Sequence, residues 1–211
     1  MGVSFDLFGT LVDVAYPTDP GAAVADALSD YGVAVPDDWD DAYREVHIDA
    51  PDGAEVPLPA HVAAALRSRG VESPDNAARR AVITAFDPEV TTRPGAVEAV
   101  EAAREAGPVG LLSNCSVPEL VARTLIRSDL DRRGFDTIVT SVACGWRKPH
   151  EQAFEALARG LDTDVSAVTH VGDDPATDGG IEAVGGQFLD VNEVSLSEFA
   201  SRVRAGETTW R

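Results

Sequence analysis

Apolar residues along this chain follow two kinds of spacing. Short, nearly continuous apolar runs occur at 3–7, 109–113, 135–142, 168–171 and 187–191. Runs of that length, rich in β-branched residues, match strands buried on both faces. From residue 94 onward they alternate with stretches whose apolar positions recur every three to four residues, at 96–106, 117–126, 150–159 and 195–203. Gly107-Pro108 closes the first of these, Pro118 sits in the first turn of the second, and Ser195 and Ser197 are candidate caps of the last. Strands alternating with helices predict a Rossmann-like α/β fold, a parallel sheet with helices on both faces.

Residues 16–90 carry no strand-like run. Their periodicity is helical, at 22–28, 39–48, 61–66 and 77–86, and Pro36, Pro51, Pro57, Pro59, Pro74 and Pro88 punctuate it. Asp19 followed by Pro20 is a helix-start signal. The pattern predicts a helical domain over 16–90, inserted into an α/β core formed by 1–15 and 91–211. Arg93-Pro94-Gly95 marks the return to the core.

Polar residues interrupt the apolar runs at their C-terminal ends. Asp6 closes the first, followed by Gly9-Thr10. Ser113-Asn114 closes the second, and Gly172-Asp173-Asp174 closes the fourth, with Asp178 shortly after. Arg147-Lys148-Pro149 opens a predicted helix. In a parallel sheet these ends share one edge, the edge where ligands bind. Each feature also has a plain structural reading: Asp6 as a turn residue, Ser113 and Asn114 as helix caps, Lys148 as a surface residue, the aspartates as solvated turns. Crowded together, Asp6, Asp173, Asp174 and Asp178 repel unless a cation neutralises them, and hard oxygen ligands with room for water suit Mg²⁺.

These four segments, in this order and at this spacing, resemble the haloacid-dehalogenase-like hydrolase superfamily. The resemblance implies a helical cap in the position of residues 16–90, closing over the site. It implies that Asp6 is a nucleophile forming an aspartyl-phosphate. It further implies Lys148 as the catalytic cation, and Gly9, Thr10, Ser113, Asn114 and Lys148 as phosphate or substrate contacts. Asp6, the backbone carbonyl of Phe8 and Asp173 would hold Mg²⁺, with Asp174 and Asp178 in support. Lys148 is the only lysine among 17 basic residues, and a compact ammonium fits between a carboxylate and a phosphate oxygen differently from a planar guanidinium.

One position departs from the phosphatases of that superfamily, which usually carry an acid two residues after the nucleophile. Phe8 stands there and moves no proton, a service typically worth about 10²- to 10⁴-fold in rate. Phe8 therefore points either to a phosphorylated metabolite with a good leaving group or to dehalogenation, in which Asp6 displaces halide from carbon. The aspartates at 173 and 174 favour the metal-dependent phosphohydrolase, because the superfamily's dehalogenases bind no metal and have small polar residues there. A non-catalytic phosphate-binding relative is a third expectation. Arg44 and His47, three apart on the helix predicted over 39–48, are candidates for reaching an anionic substrate. His61, His150 and His170 form no ligand cluster, His170 reads as a core histidine, and Trp39, Trp146 and Trp210 read as packing or surface residues.

Charge narrows the partners. Among 211 residues, 36 are acidic, and the net charge is −19, which disfavours nucleic acid and anionic membranes as partners and leaves a small-molecule substrate. No run approaches the roughly 18 apolar residues of a membrane span. No signal-peptide pattern precedes the first strand, and Cys115 and Cys144 have no metal-binding spacing, so a reduced, cytoplasmic monomer or homodimer is expected. So acidic a chain, almost without lysine, predicts a salt-rich host cytoplasm, in which a Debye length of about 3 Å near 1 M salt screens self-repulsion. The melting temperature should therefore rise between dilute buffer and multimolar KCl; equal values would refute the halophilic reading.

Overall fold

The computed structural model of the chain describes residues 2–207; the expectation for Trp210 lies outside them. The first apolar run forms β1 (Gly2–Phe5). A short strand, β2 (Val12–Val14), leads out of it. Four helices follow: α1 (Pro20–Asp30), α2 (Trp39–Arg44), α3 (Leu58–Ser68) and α4 (Ala77–Ala85). The chain returns through β3 (Val90–Thr92), antiparallel to β2. Then come α5 (Ala96–Ala106), β4 (Val109–Ser113), α6 (Leu120–Arg127), β5 (Thr137–Thr140), the short α7 (Ser141–Cys144) and α8 (Glu151–Gly160). The chain ends with β6 (Val168–Gly172), β7 (Gln187–Asp190) and α9 (Leu196–Arg204).

The five long-run strands form one sheet in the order β5-β4-β1-β6-β7, every neighbouring pair parallel. The order runs outward in both directions from β1, so the topological switch point lies at the C-terminal ends of β1, β4 and β6. Alternation along the strands supplies two cores. Val3, Phe5, Val109, Leu111 and Val171 face α5, α6 and α9, with Phe5 meeting Phe199 edge-on at 5.7 Å. Leu112 and Val168 face α8 through Phe154 and Leu157. Gly110 lies on that second face, where a Cβ would fall 2.6 Å from Leu157 Cδ1, so glycine lets α8 approach. Among the described residues no helix is long and apolar enough to cross a membrane.

Local signals set several boundaries. Asp19 accepts from the Ala22 amide and caps α1, with Pro20 in the first turn. Elsewhere the structure corrects the pattern. The pair β2–β3, three residues each, is too short to show periodicity and forms only because the two chain crossings meet. The helix expected from residue 117 starts at Leu120, because Glu119 takes a left-handed conformation with φ of 68°. The helix expected over 39–48 ends at Arg44, and Glu45 is extended; Arg69 clasps Asp38 and Glu45 on either side of it. His47 is thus off the helix and bonds the Ala42 carbonyl at 2.6 Å, while Arg44 pairs with Asp40, so both candidates have local partners instead of a shared substrate-facing surface.

Replacing Phe199 by Ala should lower unfolding stability by about 3–5 kcal/mol, since a buried ring is lost from the α5–α9 face. Denaturant titration in high KCl measures it.

Candidate active site

Asp6 follows β1, and because Val3, Phe5 and Leu7 face the α5–α9 core, Ser4 and Asp6 point to the α8 side. Lys148 reaches the same place from the loop before α8. Its ammonium is buried and donates to Asp6 Oδ1 at 2.8 Å, Asp178 Oδ1 at 2.6 Å and the Leu112 carbonyl at 2.9 Å, so all three donors are used. Burial alone would lower the Lys148 pKa, but Asp6 and Asp178 outweigh it and hold the ammonium charged. Asp6 moves up from its ordinary value, chiefly by burial and further through Asp178, against the pull of Lys148. Two carboxylates share one ammonium, and the site is short of positive charge.

Asp173 adds to the deficit. One oxygen each of Asp6, Asp173 and Asp178 lies within 4.8 Å of the others. Thr10 is fully buried and donates to Asp173 Oδ1 at 2.8 Å. Gly9 has φ of +86°, and a Cβ there would fall 2.5 Å from Asp173 Oδ2, so glycine both makes the turn and leaves space for that carboxylate. The Gly9 amide donates to the Val12 carbonyl. These contacts correct the expectation for residues 9 and 10: both shape the Asp173 side of the site, and the Gly9 amide and Thr10 hydroxyl are already committed.

Asn114 is corrected in the same way. Its side chain donates to the Lys148 carbonyl at 2.9 Å and accepts from the Lys148 amide at 2.8 Å, clamping the lysine backbone at the cavity wall. Asp174 is exposed and accepts from Ala176 N and Thr177 Oγ1, forming a local turn rather than a support for a metal. Asp178, expected at the margin, is central: Oδ1 takes Lys148 and His170, and Oδ2 takes the amides of Asp173 and Asp174. Burial would raise its pKa, but the His170 hydrogen bond and the Lys148 charge hold the carboxyl well below the usual carboxylate range.

Two further polar groups of the site have no partner among the described residues. Ser113 Oγ is fully buried, lines the cavity and makes no hydrogen bond to the described residues. No described donor reaches the Phe8 carbonyl. The cavity over these groups holds about 300 Å³ and is lined by Asp6, Phe8, Tyr16, Ser113, Arg147 and Asp173, among others. Of these, Tyr16 and Arg147 carry no sequence signal that marks them as site residues.

This arrangement sits over 97% of the chain on the fold of a Pseudomonas syringae 2-haloacid dehalogenase, at 20% identity and a TM-score of 0.68, covering 98% of that protein. A haloacid-dehalogenase-family phosphatase from Thermococcus onnurineus matches at 17% identity and a TM-score of 0.55, covering 99% of each chain. The L-2-haloacid dehalogenase of Xanthobacter autotrophicus, solved with chloropropionic acid covalently bound, matches at 18% identity and a TM-score of 0.56, covering 99% of this chain and 84% of that one. By sequence, none of the curated proteins compared matches. The family model for haloacid dehalogenase-like hydrolases matches residues 1–185. The chain belongs to that family. This hydrolase shares its fold with both dehalogenases and phosphatases, so its charge and cavity must discriminate between the two chemistries.

His170 is the expected core histidine, yet it is joined to the site. Its Nδ1 lies 2.8 Å from Ser4 Oγ and its Nε2 3.2 Å from Asp178 Oδ1. Asp178 only accepts, so Nε2 carries the proton and the neutral ring accepts from the Ser4 hydroxyl at Nδ1. Burial lowers the His170 pKa from its ordinary 6.5. The unfolded chain therefore takes up a proton that the folded one resists. Stability should be complete above pH 6.5 and fall as pH drops below it. Replacing His170 by Asn should remove that slope between pH 7.5 and 5.5, as read from melting temperatures at constant KCl.

Proposed function

We propose that this hydrolase is a Mg²⁺-dependent phosphohydrolase acting through an aspartyl-phosphate on Asp6, on a small phosphorylated metabolite with a good leaving group. The observation carrying the reading is the Asp173 carboxylate, oriented by Thr10 beside Asp6 where Lys148 already serves two buried carboxylates. An anionic substrate entering that site without a further cation meets net negative charge. The free oxygens fit a hard divalent ion: Asp6 and Asp173 each keep one carboxylate oxygen without a hydrogen-bond partner among the described residues, and the Phe8 carbonyl is open. Mg²⁺ held by these three groups would supply charge stabilisation to the transferring phosphoryl group.

The chain's own residues do the rest. Asp6 attacks phosphorus, and Lys148 holds the nucleophile's Oδ1 and its charge in place. The unpartnered Ser113 hydroxyl donates to a phosphoryl oxygen. Asp178, anchored by two backbone amides and His170, fixes the lysine. Phe8 supplies no proton to the leaving group, which restricts the reaction to esters and anhydrides whose oxygen departs unprotonated.

Phe8 also favours a second reading, dehalogenation by Asp6, because halide needs no proton. Assays in multimolar KCl that follow phosphate release from an aryl phosphate, and bromide release from 2-bromopropionate, separate the two. The expected result is phosphate release that needs Mg²⁺, stops in EDTA and is abolished in Asp6→Asn. In Asp173→Asn it should demand more Mg²⁺. Bromide release persisting in EDTA, without phosphatase activity, would establish the dehalogenase instead. Phe8→Asp should raise turnover of alkyl phosphates over aryl phosphates, by at most about 10²- to 10⁴-fold.

A further inference from the structure

The cavity over Asp6 does not end at the nucleophile. A second cavity of about 360 Å³ adjoins it, and the two share Tyr16, Asn114 and Arg147 in their walls. That volume lies at the small end of ligand sites, roughly 300–1,000 Å³. The chambers differ in chemistry. The first is walled by carboxylates, hydroxyl groups and Lys148. The second is walled by Pro20, Phe86, Cys115, Val117 and Leu120, together with Tyr16. Burial pushes the Cys115 thiol up to about 11, so it stays neutral and behaves as part of the apolar wall.

Three aromatic rings lead from one chamber to the other. Phe8 and Tyr16 meet edge-on with centroids 6.0 Å apart, and Tyr16 and Phe86 at 6.4 Å. Both spacings lie in the favourable range for aromatic pairs, about 4.5–7 Å. Tyr16 is 47% exposed, one of few large apolar side chains left open to solvent among the described residues, and it lines both chambers. A flat apolar ring entering beside it would extend the row.

Arg147 gives the apolar chamber one cation. Its backbone is fixed against the inserted segment, with the Arg147 amide bonded to the Gly53 carbonyl and the Glu55 amide to the Gly145 carbonyl, both at 2.9 Å. One guanidinium nitrogen, Nη1, donates to the buried Glu55 carboxylate at 3.2 Å; Nε and Nη2 have no partner among the described residues. A guanidinium held by one edge presents its other edge to a second carboxylate.

We propose that the second chamber is the leaving-group site, and that it takes a single aromatic ring bearing a carboxylate, packed against the Tyr16 and Phe86 walls with its carboxylate on Arg147. This rests on the phosphohydrolase reading and names its substrate class: a carboxylated aryl phosphate. The chemistry closes without an acid at Phe8. Asp6 forms its bond to phosphorus as the bond from phosphorus to the aryl oxygen breaks. The electron pair leaves on that oxygen as a phenolate, stabilised by its ring, which takes a proton from solvent. Water then attacks the aspartyl-phosphate, releasing inorganic phosphate and restoring Asp6.

The test compares phenyl phosphate with 4-carboxyphenyl phosphate, with Mg²⁺ and in high KCl, alongside calorimetric binding of 4-hydroxybenzoate, the second ester's leaving group. The wild-type KM should be about ten- to a hundredfold lower for the carboxylated ester, the value of a charge-assisted contact. Arg147→Leu should bring the ratio of the two KM values to about one, and Arg147→Lys should recover part of it. Should Arg147→Leu fail to fold with Glu55 unpaired, Glu55→Gln/Arg147→Leu carries the same comparison without a stranded charge. Equal KM values in the wild type, with no 4-hydroxybenzoate binding, would overturn the chamber assignment while leaving the phosphohydrolase intact. Binding of 4-hydroxybenzoate that Arg147→Leu abolishes, in a protein that hydrolyses neither ester, would uphold the chamber and refute the phosphohydrolase.

Discussion

The buried ammonium of Lys148 is the contact on which the rest of the site depends. It is 3% exposed and bonded to two carboxylates and a carbonyl. Removing one partner of such a buried pair typically costs about 3–5 kcal/mol, because the other charge is stranded. Here two carboxylates would be stranded together. The surrounding structure answers that constraint. Asn114 grips the lysine backbone from both sides, and Asp178 is in turn held by His170 and two amides. The buried polar chain from Ser4 through His170 and Asp178 to Lys148 and Asp6 is linked by hydrogen bonds at every step, which is what allows it to exist inside an apolar sheet-helix layer.

The strand order explains why these groups meet. With β1 central and β4 and β6 on either side, Asp6, Ser113 and Asp173 emerge from three adjacent strand ends. Period-two alternation decides the face: the same register that sends Phe5 into the α9 core sends Ser4 and Asp6 toward α8, where Lys148 arrives. A one-residue slip of β1 would bury Asp6 in the wrong core. The inserted helices contribute differently. Residues 53–55 pair with 145–147 beside Lys148, and Tyr16, Pro20 and Phe86 wall the cleft, so the insertion lines the cavity while the sheet edge holds the charged groups.

Charge separates the chemistries that this fold accommodates. A phosphoryl substrate and a haloacid are both anions, and both would use Asp6 as nucleophile and Lys148 as cation. Asp173 breaks the symmetry. Thr10 and the glycine at 9 hold an additional carboxylate next to Asp6, and on the proposed reading a divalent ion offsets its repulsion of an anionic substrate. The family leaves open which chemistry operates, and the proposal of the metal-dependent one rests on the local charge balance.

The five sheet strands, the alternation with helices and the carboxylates at strand ends are local properties, written in runs and periods of a few residues, and the sequence alone determined them. It also singled out Lys148, the one lysine in an arginine-rich set, and Phe8 where an acid would stand. The partnerships were decided only in three dimensions. Lys148 finds Asp6 across 142 positions and Thr10 finds Asp173 across 163, separations over which no periodicity carries information. The tertiary structure therefore reassigned residues the sequence could only name: Thr10 and Asn114 became holders of other site residues, Asp174 a turn, and Asp178 the second anchor of the lysine. It also brought in Tyr16 and Arg147, an aromatic and a cation with nothing distinctive around them in the chain. Their place in the cleft depends on where the inserted helices pack, and that is set by long-range burial rather than by local pattern.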